Sequence, residues 1–591
     1  MIKGGEFLIK DQEAKDIFIP EEFGEDQLMM ASATKEFVEK ELDPHRERFE
    51  KKDYKLTEDC MKKAGELGLL GISVPAEYGG MGMPFNTSVL ICDKISGANG
   101  SFSTAFGAHT GIGTLPILLY GDDAQRTKYL PKLASGEWMG CYCLTEPGAG
   151  SDANSGKTKA VLTDDGKNYL ITGQKMWISN AGFADVFIVF ARIEDDKNIT
   201  GFILEKGMEG ITLGEEEQKL GLNSSSTRQV FFNDVKVPVE NLLGGRGNGF
   251  KIAMNALNVG RIKLSAAVLD ACRRVIGLST NYSNERIQFG IPIAKFGAIK
   301  HKLADMAVRT FAVESATYRA GAEIEKNILR LETEGVDHQQ AHLKGIEEYA
   351  IECSIVKVLG SETIQFCSDE GIQIYGGMGY SADTPMEAAY RDARIARIYE
   401  GTNEINRMLL VGMILKKAMK GELDIMTPAM KVASDLMSIP SFDKPDDSIL
   451  FEVEKEQIKK LKKAILMCAG KAAQHFAMTI EREQEVLMNL ADMVIEVYTA
   501  ESAILRAEKL AAKNGEQETE HQIAMSKLFL YQAIKNCNQS GEEVILSFAE
   551  GDEQRMLLMG LKRFTKGYTI NPKEMRRSIA AKMIEENKYC F

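Results

Sequence analysis

The sequence predicts a multidomain, mainly α-helical protein with a central β-domain and a further helical domain at the C-terminus. Three observations predict it. The chain has 591 residues, more than one hydrophobic core accommodates, so several packed domains are expected. The apolar spacing is helical up to about residue 140, alternates between turn residues over 141–240, and is helical again after Gly249. A stretch with Pro428, Pro440 and Pro445 then separates a last helical block.

Taken in order, residues 1–29 read as an N-terminal extension and 30–140 as a helical domain. In the latter, a helix starts at Leu56-Thr57-Glu58, with Met61, Ala64, Leu67 and Leu70 on one face, and ends at Gly71. A second helical run is expected over Asn86–Tyr120. Residues 141–240 read as an antiparallel β-barrel or sheet. Its clearest feature is a hairpin, in which Lys159–Thr163 and Tyr169–Thr172 flank an Asp165-Gly166 turn. Further strands fit 185–193, 200–205 and 229–237. Residues 241–415 return to helices, broken at Phe289–Pro292, at Gly376–Gly379 and at Gly401. A connector with one short amphipathic helix, Met430–Leu436, spans 416–450, and 451–591 forms the C-terminal helical domain with a basic run at Lys459–Lys463.

Composition excludes some functions. Apolar residues are 44% and charged residues 27% of the chain, with a formal net charge of −13. An acidic chain without a dense basic cluster is a poor nucleic-acid binder. The first residues lack an apolar core and carry no arginine before Arg46, which speaks against a secretory or mitochondrial leader. No window approaches the ~20 apolar residues of a membrane span. A cytoplasmic location is therefore expected. The ten cysteines form no CxxC pair and read as free thiols of a reducing compartment. Cys141 and Cys143 are close in sequence, but we take them to face opposite sides of a strand and to share no metal ion.

Motifs exclude more. There is no dinucleotide GxGxxG, P-loop, HExxH or GxSxG. Gly244–Gly249 is glycine-rich but reads as a loop before a helix. His338 and His342 stand at helical spacing without an evident carboxylate, as on a solvated helix face, so no metal is expected. Composition and periodicity identify no base or nucleophile.

Three segments are more specific. Tyr142-Cys143-Leu144-Thr145-Glu146-Pro147-Gly148-Ala149-Gly150-Ser151-Asp152, Gln373-Ile374-Tyr375-Gly376-Gly377-Met378-Gly379-Tyr380, and Tyr390–Arg394 running on to Ile398-Tyr399-Glu400-Gly401-Thr402-Asn403 occur in that order. Together they resemble the signatures of the acyl-CoA dehydrogenase family, over residues 30–410. The resemblance implies a helical domain, a β-domain and a four-helix bundle. It implies bound FAD, a fatty acyl-CoA substrate, and removal of an α-proton and a β-hydride to leave a trans-2-enoyl thioester. Electrons would pass to electron-transfer flavoprotein.

By the same resemblance Glu400 is the catalytic base, and its backbone N–H is one donor to the thioester oxygen. An apolar pocket would raise its pKa towards neutrality, and Gly401 would let the chain turn closely against the ligand. Tyr142, Leu144, Thr145, Gly150 and Ser151 match the flavin-binding segment, with Ser151 also near the substrate. Trp177, Ile178 and Ser179 match the strand against the flavin ring, a core tryptophan being the alternative. Arg286, Gln288 and Phe289 match a segment that reaches the FAD of a neighbouring subunit. Gln373 and Gly377 match adenosine contacts, also across subunits. Thr402 and Asn403 match pyrophosphate contacts. Asn258, Arg261, Tyr399 and Gly401 fall on the substrate side. Arg391, Arg394 and Arg397 read as a salt-bridged or solvated ridge.

Some members place the base just before the arginine equivalent to Arg261; here that residue is Gly260, so no second carboxylate competes. The small residues of Ser103–His109 allow either a deep tunnel for long acyl chains or close helix packing. The extension past Leu415 resembles the very-long-chain acyl-CoA dehydrogenase subgroup. That implies a homodimer and peripheral membrane contact through the connector, docking of Met430–Leu436 on the protein itself being the alternative. An acyl-CoA oxidase and a non-catalytic scaffold protein on the same fold are the competing functions.

Overall fold

The computed structural model describes residues 2–97, 99–436 and 445–591, apart from the side chains of 433–436 and Met478. Pro440 lies outside the described residues.

The N-terminal block contains helices α1 (Glu25–Phe37), α2 (Arg46–Glu50), α3 (Tyr54–Glu66), α4 (Phe85–Ile95), α5 (Gly100–Gly107), α6 (Leu115–Tyr120) and α7 (Asp123–Ser135). Asp53 caps α3 by accepting from the Leu56 N–H at 3.0 Å. Leu56, Cys60, Met61 and Ala64 form its buried face. Leu67, expected on that face, is exposed, because α3 ends at Glu66 and Gly68 turns left-handed. The run expected over 86–120 is not one helix. Asn99 restarts the chain by capping α5. A π-helical turn over Ala108–Gly113 then breaks it again.

The β-domain holds strands β1 (Gly140–Cys143), β2 (Lys159–Leu162), β3 (Asn168–Ser179), β4 (Val186–Ile193), β5 (Thr200–Glu205), β6 (Ile211–Glu216), β7 (Thr227–Pro238) and β8 (Leu242–Leu243). They run in the order β6-β7-β3-β2-β4-β5-β8, with β1 beside β4. The Asp165-Gly166 hairpin forms as expected. The sheet is mainly antiparallel, but β1 and β2 both pair with β4 in parallel. The reading of Cys141 and Cys143 needs correction. Residues two apart on a strand share a face, and their sulfurs lie 4.0 Å apart in the β-domain core.

The second helical block contains α8 (Gly249–Ala266), α9 (Leu269–Glu285), α10 (Gly297–Thr333), α11 (His338–Glu348), α12 (Ala350–Tyr375), α13 (Gly377–Tyr380), α14 (Met386–Ala393) and α15 (Asn403–Met419). Between α9 and α10 a two-stranded hairpin, β9 (Ile287–Gln288) and β10 (Ile291–Pro292), projects from the surface. The connector helix α16 starts earlier than expected and spans Met426–Leu436. Its Val432 is buried, while Met426 and Met430 face outward.

The C-terminal helices α17 (Glu452–Phe476), α18 (Gln484–Asn514), α19 (Glu520–Leu546), α20 (Gly551–Thr565) and α21 (Pro572–Glu586) pack against α10 and α15. The N-terminal segment runs through this junction. Tyr349 donates to the Ile2 carbonyl, Phe7 packs edge-on against Tyr498, and Arg506 pairs with Glu21. Lys462, in the basic run, is buried and pairs with Glu501. Arg319 is fully buried beside Glu323, Glu501 and Gln12.

Candidate active site

A cavity of about 440 Å³ lies between the N-terminal helices and α8–α9, with Glu400 and Tyr399 in its wall. Thr402 caps α15 through its side chain, and immediately before it Gly401 and Glu400 are both left-handed (φ 81° and 59°). A left-handed glutamate is uncommon and needs support from its surroundings. The support comes from behind. Arg261 Nε donates to the Glu400 carbonyl at 3.3 Å. Asn406 Nδ2 donates to the carbonyls of Gly401 and Thr402 at 2.9 and 3.0 Å. Lys357 Nζ donates to the Gly401 carbonyl at 2.7 Å and to Asn403 Oδ1 at 2.8 Å.

The Glu400 residue is half-buried, yet its Oε2 is enclosed with no hydrogen-bond partner. Burial pushes its carboxyl up to about 7, against the opposing pull of Arg261 and Lys357. Burial likewise draws the Lys357 ammonium down to about 7. Among the described residues nothing accepts from the Glu400 backbone N–H. Gly260 makes this placement possible: a Cβ there would lie 2.8 Å from Glu400 Cδ.

On the substrate side, Tyr399 lines the cavity, while Asn258, Arg261 and Gly401 lie behind it. Arg261 is buried, and its Nη1 donates to Asn258 Oδ1 at 2.8 Å. These two side chains brace the Glu400 loop and do not form the wall. Ser103, Thr104, Phe106, Gly107 and Ala108 do line the cavity, whereas His109 faces away. Its Nδ1 accepts from the Gly140 N–H and its Nε2 donates to the Leu133 carbonyl, and burial lowers its pKa to about 4.

The segment 144–151 is held by a buried ion pair. Lys175 meets Glu146 at 2.6 Å and also donates to the Leu144 carbonyl, while Glu146 accepts from the N–H groups of Lys157 and Thr158. Thr145 is tied to β3 by the Met176 N–H. Next to it the β3–β7 register slips between Lys175 and Ile178. There Trp177 is left-handed (φ 60°) and 52% exposed, so it is not a core tryptophan. Ile178, by contrast, buries its side chain in the β-domain core and can offer a ligand only its backbone. Ser179 lines the cavity. The Tyr142 hydroxyl is buried without a partner, and a Cβ on Gly148 or Gly150 would meet open space. A bare indole, an open glycine turn and an orphaned hydroxyl fit a planar ring system such as a flavin.

The remaining expected contacts lie elsewhere. Arg286 ends α9, and Gln288 and Phe289 sit on the β9–β10 hairpin, where Phe289 is 94% exposed. A Tyr282–Tyr375 stack (4.0 Å) joins this end of α9 to the exposed Gln373 and Gly377 at the end of α12. From Lys357, beside Glu400, to Gln373 is about 24 Å along α12. Asn403 needs revision as a cofactor contact. Its side chain is buried and bonded to Lys357, Ser361 and Glu362, leaving only its backbone at the start of α15. The arginine ridge holds only for Arg391, which pairs with Glu50 and Glu387. Arg394 Nη1 and Arg397 Nε are buried without partners. His338 does have a carboxylate beside it: Glu332 Oε1 lies 2.6 Å from its Nδ1, with His342 close by.

Sequence reasoning missed Lys357, Asn406 and the Lys175–Glu146 pair. Lys357 left a signal as a lone cation in the apolar run Ile355–Leu359. The other two left none.

Models of the acyl-CoA dehydrogenase N-terminal domain match residues 24–137, of the middle domain 141–235, and of two C-terminal domains 247–415 and 460–563. A probable acyl-CoA dehydrogenase of Bacillus subtilis is 44% identical over 99% of this chain and 98% of its own. The rat mitochondrial very long-chain specific acyl-CoA dehydrogenase is 39% identical over 60% of this chain and 53% of its own. The crystal structure of an acyl-CoA dehydrogenase from Bacillus anthracis, complexed with FAD, superposes with a TM-score of 0.96 at 42% identity, covering 100% of both chains. A chain solved as the electron transferring flavoprotein of Acidaminococcus fermentans superposes at 0.60 and 37% identity, over 66% of this chain and 98% of its own. Fold and site thus define an oxidoreductase. The chain belongs to the acyl-CoA dehydrogenase family.

Proposed function

We propose that this protein removes the α-proton and β-hydride of long-chain fatty acyl-CoA, giving the trans-2-enoyl thioester, and passes the electrons to an electron-transfer flavoprotein. The observation that carries the reading is the enclosed, partnerless Oε2 of Glu400 in the cavity wall. A carboxylate with a pKa of about 7 is matched to abstracting a proton near neutral pH. The free backbone N–H of Glu400 hydrogen-bonds the thioester oxygen, where negative charge develops as the proton leaves. Arg261, Asn406 and Lys357 fix the loop so that the carboxylate and this N–H act from one rigid unit.

Bound FAD supplies the acceptor for the β-hydride. Trp177, Thr145 and Ser179 hold its ring, and the N-terminus of α15 at Thr402 and Asn403 faces its pyrophosphate. Arg286, Gln288 and Phe289, with the adenosine contacts Gln373 and Gly377, lie at the end of α9 and α12 away from Glu400. They serve a second copy, so the active form is a homodimer, with the exposed hairpin as part of its interface. Long chains are favoured because Gly107 and Gly111 leave the cavity open where side chains would close it. Val432 docks the connector helix on the protein while Met426 and Met430 face outward, so liposome co-sedimentation tests whether that outer face also meets a membrane.

Anaerobic addition of palmitoyl-CoA should bleach the bound flavin, and Glu400→Gln should keep FAD but lose the bleaching. Unchanged turnover by the mutant would refute the assignment. Peroxide formed in step with turnover would point to an oxidase instead.

A further inference from the structure

One group in the cavity wall has no part in the reaction described above. On α8 the positions Gly260, Lys263 and Leu264, with Ala267 at its C-cap, all line the cavity, at the spacing of one helix face. Lys263 is only 5% exposed. Among the described residues none hydrogen-bonds or ion-pairs with its amine, and the titratable group that acts on it is the Cys92 thiol in the same wall. The other charged groups around this cavity, Glu400 aside, have partners. Asp43 pairs with Arg274, Glu50 with Arg391, Arg46 donates to the Thr384 carbonyl, and Asp392 accepts from the Leu222 N–H. An unpartnered amine facing a cavity that an acyl chain is to fill is costly, because a saturated chain would displace water and give it nothing to bond.

We propose that Lys263 recognises a neutral oxygen, a hydroxyl or keto group, carried along the acyl chain beyond the reacting carbons. The proposal rests on the acyl-CoA reading of the cavity and narrows its substrate class to oxygenated long-chain acyl thioesters. Lys263 stands one helical turn, about 5 Å, along α8 from Gly260, the residue against which the carboxylate of Glu400 rests. The oxygen is therefore met after the α- and β-carbons are already placed. The amine donates, and a hydroxyl or keto oxygen accepts from it. A chain carboxylate, a full charge taken out of water, would need further donors beside this one amine. The wall offers none, since its arginines are engaged.

The test compares kcat/KM for palmitoyl-CoA with a positional series of hydroxypalmitoyl-CoA and with a dicarboxylyl-CoA, on the FAD-bound enzyme. At least one mid-chain hydroxyl isomer should be preferred over palmitoyl-CoA by about tenfold or more, as when a site is built to bond a substrate hydroxyl. Lys263→Met, which keeps the apolar stem, should erase the preference by speeding palmitoyl-CoA and slowing the hydroxyl isomer. Lys263→Gln, which still hydrogen-bonds, should retain part of it. Flavin absorbance reports that each variant is folded. Equal selectivity in wild type and Lys263→Met overturns the proposal, as does a dicarboxylyl preference. Palmitoyl-CoA turnover by the wild type tests the dehydrogenase reading separately; if no thioester is turned over, both readings fall together.

Discussion

The role proposed for Glu400 rests on two features that a sequence does not display: a left-handed backbone and a carboxylate oxygen with no partner. Its raised pKa sets the expected pH profile. The base is active when ionised, so kcat/KM should rise about tenfold per pH unit below about pH 7 and level off above it. Stopped-flow flavin reduction across pH would measure this, and a profile flat down to pH 5 would contradict it. In Glu400→Gln the rate should fall by about 100- to 10,000-fold. Gly260 supplies a subtler test. In Gly260→Ala the new methyl would meet the Glu400 carboxylate and push it aside, so kcat should drop while FAD content stays at wild-type level.

Among the elements, the helix and π-turn over residues 100–113 set the depth of the cavity. A Cβ on Gly107 or Gly111 would meet nothing within 4 Å. Gly107→Leu should therefore fill the space, lowering kcat/KM for palmitoyl-CoA about tenfold or more while sparing butyryl-CoA. The β9–β10 hairpin is the other exposed element with a task. If it serves an interface, Phe289→Asp should shift the protein towards monomer in sedimentation and weaken FAD retention. Much at this scale was legible beforehand. The switch of apolar period marked the β-domain, and Asp165-Gly166 marked its hairpin. The π-turn and the bulge at Trp177 were not legible, because both are departures from a regular period made by long-range packing. Glu400 itself was visible only through the motif around it. Nothing in the local pattern distinguishes it from a solvated glutamate. Leu67 shows the opposite failure, where a correct period ran one turn past the true helix end.

At the scale of the whole molecule, the junction of α10, α12 and α18 with the N-terminal segment concentrates buried charge. Glu352 is buried, accepts from the Gly5 N–H at 2.7 Å, and burial raises its pKa to about 8, the neighbouring Glu323 adding to the shift. The folded state thus keeps a proton that the unfolded chain releases near its ordinary value of 4.5. Folding stability from this group is undiminished below that value and falls as pH rises towards about 8. Glu352→Gln preserves the acceptor without the titration. Its thermal midpoint should exceed that of the wild type at pH 8 by about 2 °C or more, and by little at pH 5. Equal differences at both pH values would remove Glu352 from the account.

The same junction imposes an order in time. Arg506 meets Glu21 across 485 residues of chain, and Lys509 donates to the carbonyl of Ile17. On a ribosome, the first residues emerge long before their partners exist. At about 5–20 residues per second, that wait lasts on the order of half a minute to over a minute. Until then Ile17 and Ile19, which end beneath Leu505 and Leu510, stand bare. The nascent protein completes its first segment last.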